Sequence, residues 1–102
     1  MPVKVTCSDG GSVTATLSGE VDHHGAREMM KLLDETIDEY LPRRLTLDLS
    51  GITFMDSSGI AVLIRALRKM EQLGGTLTAV SIPPQPRKVL DAAGAGRLIK
   101  FE

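Results

Sequence analysis

Aromatic side chains and excess charge of one sign are both scarce in this chain. Aromatics make up 3% of the 102 residues, which argues against a stacking platform for single-stranded nucleic acid. Twelve basic and thirteen acidic residues leave a net charge of −1, so the chain lacks the positive surface that attracts nucleic acid or anionic membranes. The composition therefore predicts neither a nucleic acid nor a membrane partner.

Cysteine is nearly absent, and long apolar runs are missing. Cys7 is the lone cysteine of the sequence, so an internal disulfide is excluded and a reducing compartment is favoured. The first residues, Met1–Val5, contain no long apolar segment, which predicts neither a signal peptide nor a membrane span. We expect a cytoplasmic protein whose residues 1–102 form a single domain with a modest core.

The hydrophobic pattern predicts an α/β fold. Two β-prone runs are joined by Asp9-Gly10-Gly11, a turn signal that indicates a hairpin. Strands separated by helical segments need crossover connections, so the rest of the sheet is expected to be largely parallel, with the hairpin adding an antiparallel strand. The predicted elements are, in order, strands at residues 3–7 and 12–18, a polar loop at residues 19–25, a helix from about Ala26 to Leu41, a strand at residues 45–49, a helix from Ser58 to about Leu73, a strand at Thr76–Val80, a helix from about Arg87 to Ala93 after a proline-rich break, and a strand at residues 98–101.

The most informative segment is Asp-Ser-Ser-Gly at residues 56–59. It follows the strand at residues 45–49 and precedes an apolar stripe at Ile60, Leu63 and Ile64 that is typical of an amphipathic helix. At the start of a helix the first amide groups lack backbone partners, and the helix dipole favours negative charge. The segment is therefore suited to capping the helix, to binding an anion or to carrying a phosphoserine.

Two other chemical interpretations of this segment have weaker support. A nucleophilic serine assisted by His23 or His24 lacks the Gly-x-Ser-x-Gly elbow of serine hydrolases, and the chain has no phosphate-binding loop of the Gly-x-x-x-x-Gly-Lys type. The adjacent histidines point in different directions, whereas a zinc site needs three or four converging ligands. We expect no enzyme and no metal site.

Two segments of the sequence resemble a known family. Residues 17–24, Leu-Ser-Gly-Glu-Val-Asp-His-His, and residues 54–59, Phe-Met-Asp-Ser-Ser-Gly, lie about thirty residues apart. Together they resemble the STAS domain, and in particular the sporulation-type anti-sigma factor antagonists of bacteria, also called anti-anti-sigma factors. The resemblance implies the STAS fold over residues 1–102.

The resemblance also implies site residues. In this family the serine directly after the aspartate is phosphorylated by an anti-sigma factor that is itself a protein kinase, and the matching residue is Ser57. Ser58 is the unmodified neighbour, and Asp56 shapes the loop. The implied partner-binding residues are Glu20, Asp22, His23, His24, Asp56, Ser57, Ser58 and Gly59.

The function implied by the resemblance is a partner switch in transcription regulation. The unphosphorylated protein binds the kinase and releases a sigma factor, and phosphorylation of Ser57 turns binding off. The chain needs no cofactor, because the kinase supplies ATP and magnesium; a serine phosphatase resets the switch, and the antagonist is a monomer. The alternative is a STAS module that does not switch and serves as a scaffold or ligand sensor in a regulatory assembly.

The chain departs from the sporulation-type pattern at two places. Gly25 stands where relatives usually carry a threonine, from which we expect a weaker cap on the first helix. Relatives of this type also continue into a further helix beyond the position of Glu102, so we expect exposed apolar surface where that helix would pack.

Overall fold

Strands and helices alternate along the chain in the computed structural model, which describes residues 2–102. The strands form one sheet in the order β1-β2-β3-β4-β5, in which β1 is antiparallel to β2 and the other neighbours are parallel. This arrangement confirms the predicted mixed sheet; the domain prediction also includes Met1, which lies outside the described residues. The elements are β1 (Val3–Ser8), β2 (Ser12–Val21), α1 (His23–Tyr40), β3 (Arg44–Met55), α2 (Ser58–Gln72), β4 (Thr76–Val80), α3 (Pro84–Ala92) and β5 (Lys100–Phe101).

The hairpin between β1 and β2 turns at two glycines. Gly10 and Gly11 both have φ of +78°, a left-handed conformation that glycine adopts without steric penalty. The Arg44 side chain donates hydrogen bonds to the Ser12 hydroxyl at 2.9 Å and to the Gly10 carbonyl at 3.3 Å. The hairpin is thereby attached to the first residue of β3.

The core lies on one face of the sheet. Alternate residues of a strand point to opposite faces, and in β2, β3 and β4 the odd-numbered members of the central paired region are buried while their even-numbered neighbours stay partly exposed. The buried faces of the helices complete the same cluster. The main contributors are Val13, Ala15, Leu17, Leu45, Leu47, Leu49, Leu77 and Ala79 from the strands, and Met29, Leu33, Ile37, Val62, Leu63, Ala66 and Met70 from α1 and α2.

The prediction of a polar loop at residues 19–25 is wrong. β2 continues to Val21, because that side chain is buried and its backbone pairs in register with Met55 at the end of β3. α1 then begins at His23, three residues earlier than expected, because Asp22 caps it. His23 and His24 therefore lie in the first turn of a helix.

The C-terminal elements are also shifted from the prediction. α3 begins at Pro84 instead of Arg87, since proline is tolerated in the first helical turn, where its missing N–H has no helical partner. β5 contains two residues instead of four, and Leu98, which was expected within it, is exposed in the preceding turn. Of the helices within residues 2–102, none has the length and apolar character needed to span a membrane.

Candidate functional site

Two helix starts lie side by side at one edge of the sheet. Val21 ends β2 and Met55 ends β3, and the two are register neighbours in a parallel pair. The Asp56 N–H donates a hydrogen bond to the Val21 carbonyl at 3.2 Å. The two segments singled out in the sequence are thus brought together. We call residues 22–25 the histidine turn and residues 56–59 the serine turn.

In the serine turn, Asp56 caps α2. Its carboxylate Oδ1 accepts a hydrogen bond from the Ser58 N–H at 2.7 Å, and its carbonyl accepts one from the Gly59 N–H at 3.0 Å. Ser57 is exposed and, within residues 2–102, its side chain makes no capping hydrogen bond. Of the residues expected to share the capping, Asp56 therefore provides the side-chain cap, and the Ser57 hydroxyl lies at the surface beside the helix start.

Gly59 is buried below this turn. A side chain at residue 59 would overlap the buried side chain of Met55. The absence of a Cβ thus lets the first turn of α2 pack directly on the end of β3. Gly59 was expected to contact a partner, and its position shows a packing role beneath the turn.

In the histidine turn, Asp22 caps α1. Its carboxylate Oδ1 accepts a hydrogen bond from the Gly25 N–H at 2.8 Å. The expectation that Gly25 weakens this cap is wrong, because residue 25 contributes only its backbone N–H to the cap. A side chain at this position would overlap the Glu20 carbonyl. Glu20, His23 and His24 are exposed around the cap.

The edge that carries the two turns is acidic. Glu20, Asp22 and Asp56 carry its negative charge. Among residues 2–102 neither histidine is hydrogen-bonded to Ser57, and no group of three or more histidine, cysteine or acidic side chains is placed to hold a metal ion. The arrangement leaves Ser57 exposed beside the Asp56 cap.

Two residues of this region were given no role in the sequence analysis. Phe54 is 42% exposed and pairs in register with Glu20, so it places an aromatic ring at the acidic edge. The Gln85 side chain makes two hydrogen bonds to the backbone of Met55, at 2.8 and 2.7 Å. Phe54 lay inside the segment already singled out, whereas Gln85 lies in a proline-rich stretch that was interpreted only as a break.

Comparison with known proteins agrees with this architecture. A family model described as the STAS domain matches residues 4–102. The chain is 30% identical over 89 residues to the anti-sigma F factor antagonist of Paenibacillus polymyxa, in an alignment that covers 87% of this chain and 76% of that protein.

Two solved structures share the fold. The anti-sigma factor antagonist SpoIIAA in its unphosphorylated form has a TM-score of 0.80 and 23% identity, covering 98% of this chain and 87% of its own. The structure of the Bacillus cell fate determinant SpoIIAA in its phosphorylated form has a TM-score of 0.71 and 23% identity, and the match covers 98% of this chain and 90% of that chain. The family model matches nearly the whole chain, and the Paenibacillus relative is 30% identical over 89 residues. This protein therefore belongs to the STAS domain family of anti-sigma factor antagonists.

Proposed function

We propose that this protein is a phosphorylation-switched antagonist that binds an anti-sigma factor with serine kinase activity and is turned off by phosphorylation of Ser57. Anti-sigma factor antagonists are non-enzymatic regulators, and the family implies an anti-sigma factor as the partner. The Paenibacillus relative is named for an anti-sigma F factor, and we propose a partner of that sporulation class. A serine phosphatase would restore the unphosphorylated form of this cytoplasmic, monomeric regulator.

The observation that carries the proposal is the division of roles within the serine turn. Asp56 supplies the side-chain cap of α2, and Ser57 is exposed beside it. A serine whose hydroxyl capped the helix would have to give up that bond, worth about 0.5–2 kcal/mol, before it could accept a phosphoryl group. Ser57 can be phosphorylated without that loss.

The proposed docking face joins both turns. Glu20, His23 and His24 are exposed on the strand end and helix start next to the serine turn. Phe54 adds an exposed aromatic side chain to the same edge. An aromatic group within a polar rim is a common composition for the energetically important centre of a protein interface.

Phosphorylation would change the charge of this face more than the fold. A phosphoserine adds about −1.5 to −2 charges at neutral pH, and a helix start tolerates them because the helix dipole favours negative charge there. On the docking face, however, the phosphate joins the carboxylates of Glu20, Asp22 and Asp56 and must be desolvated against the partner. A hundredfold loss of affinity needs only about 2.7 kcal/mol, and a buried unpaired charge can exceed that.

Intact-mass spectrometry after incubation with the candidate anti-sigma factor kinases of the source genome, ATP and magnesium tests the proposal. We expect addition of one phosphoryl group, and a loss of kinase binding of at least about a hundredfold in the purified phosphoprotein, measured by calorimetry. Tight binding without any phosphoryl addition would support the scaffold alternative. Hydrolysis of an ester substrate by the protein alone would instead indicate an enzyme.

A further inference from the structure

The strand that leads into the serine turn loses its outer neighbour before it ends. β3 runs to Met55, but its parallel partner β4 stops at Val80, which is in register with Asp48. Beyond Asp48, within residues 2–102, no strand pairs with β3 on that side. Met55 is buried at the end of this stretch, and its backbone groups need other partners because unpaired buried amides are unfavourable.

The side chain of Gln85 fills this gap at Met55. Its Oε1 accepts a hydrogen bond from the Met55 N–H at 2.8 Å, and its Nε2 donates one to the Met55 carbonyl at 2.7 Å. A primary amide has one acceptor and one donor edge, so it can imitate the backbone of a neighbouring strand. Gln85 lies in the first turn of α3, which is thereby attached to the end of β3.

The chain is consequently held from both sides just before Ser57. Met55 is bonded to Gln85 on the side of α3, and the next residue, Asp56, donates to Val21 on the side of β2. The buried Met55 side chain also packs on Gly59 in the first turn of α2. The direction in which the backbone enters the serine turn depends on these bonds, and Gln85 provides the two on the outer side.

We propose that Gln85 is a positioning residue that fixes the Ser57 hydroxyl for phosphoryl transfer. The inference rests on the proposed function and extends it to a residue that does not itself reach the reacting atoms. Catalysis of phosphoryl transfer rests on positioning together with electrostatic stabilisation, and a misplacement of about 1 Å can slow an enzymatic reaction by about a hundredfold. A turn entered by a backbone that is free on one side would hold its hydroxyl less accurately.

Single-turnover phosphorylation at saturating kinase is the first test. Gln85→Met keeps the side-chain length but removes both hydrogen bonds, and Gln85→Ala removes the side chain; each should slow Ser57 phosphorylation by about tenfold. Lys88→Ala, an exposed position one turn later on α3, is the matched control and should react at the wild-type rate. A wild-type rate for Gln85→Met would overturn the proposal, because the hydrogen bonds would then have no effect on the reaction.

Amide hydrogen exchange in the free protein separates positioning from general stability. In Gln85→Met the Met55 amide should exchange at least about fivefold faster, as expected for the loss of an ordinary hydrogen bond, while the Leu47 amide in the middle of β3 keeps its rate. Equal acceleration of both amides would show that Gln85 acts only on global stability and would contradict the proposal. This measurement needs no kinase, so it distinguishes a failure of the Gln85 inference from a failure of the proposed phosphorylation.

Discussion

Neighbouring residues of the serine turn have different tasks. Asp56 accepts the Ser58 N–H with its side chain, whereas Ser57 is exposed and makes no capping bond among the residues described. Ser58 is partly buried as the first residue of α2. The two serines are adjacent in sequence but differ in accessibility, so a kinase should distinguish them.

Ser57 should be the only efficient phosphoacceptor. Ser57→Ala should abolish incorporation of phosphate by the cognate kinase, because the exposed hydroxyl is removed while the Asp56 cap stays. Ser58→Ala serves as the matched control and should keep most of the incorporation, which quantitative mass spectrometry of the labelled peptide would measure. Full incorporation into Ser57→Ala would refute the assignment.

A negative charge at Ser57 should alter binding without altering the fold. In Ser57→Asp, a carboxylate is placed at a helix start, where it is tolerated or slightly stabilising by about 0.3–1 kcal/mol. We expect a wild-type circular dichroism spectrum and melting temperature, together with weaker kinase binding in calorimetry. Binding should fall less than with a true phosphoserine, which carries more charge. An unfolded Ser57→Asp protein would show that the helix start does not accept the charge.

At the scale of elements, both helix starts at the site are capped by aspartates. The Asp22 carboxylate accepts the Gly25 N–H and the Asp56 carboxylate accepts the Ser58 N–H, so each carboxylate has a structural role as a helix cap. Loss of such a cap typically lowers stability by about 0.5–2 kcal/mol.

Variants of the histidine turn can separate capping from docking. Asp22→Ala should lower the free energy of unfolding by about 0.5–2 kcal/mol, whereas Asp22→Asn keeps a capping oxygen and should stay close to wild type. His24→Ala changes an exposed side chain and should leave stability within about 0.5 kcal/mol. If this turn belongs to the docking face, Asp22→Asn and His24→Ala should both bind the kinase more weakly, as measured by calorimetry alongside thermal unfolding. Wild-type affinity in both would restrict docking to the serine turn and its surroundings.

The pattern of elements shows why part of the fold could be predicted from sequence. The apolar stripe of α2 is a local signal, and α2 was predicted close to its observed position. The alternation at residues 45–49 predicted only the first part of β3, which continues to Met55, because the alternation of buried residues stops after Leu49. The start of α1 was missed because Asp22, in Glu-Val-Asp-His-His, was not interpreted as a cap. The bonds between Gln85 and Met55 join residues thirty positions apart, and such pairing depends on tertiary structure, which no local pattern reports.

At the scale of the whole molecule, large and small side chains alternate across the buried face of the sheet. Leu47 in β3 lies between Ala15 in β2 and Ala79 in β4, and all three are fully buried. On the opposite face, Thr46 lies between Thr14 and Thr78 and stays partly exposed. The row of one leucine between two alanines lets the helices approach the sheet, and Leu47 fills the space that its neighbours leave.

Leu47→Ala should therefore be among the more damaging core substitutions, since the remaining row of three alanines cannot fill the volume that is lost. We expect a loss of about 2–5 kcal/mol in the free energy of unfolding, the range for a large-to-small substitution that leaves a cavity in the core. Thr46→Ala, one residue away on the open face, should lose less than about 1 kcal/mol. Urea unfolding with an unchanged m-value would measure both, and equal losses would contradict a core confined to one face of the sheet.

Below the melting transition both variants should still be phosphorylated at Ser57, because the serine turn is held by Val21, Asp56 and Gln85 at the edge of the sheet.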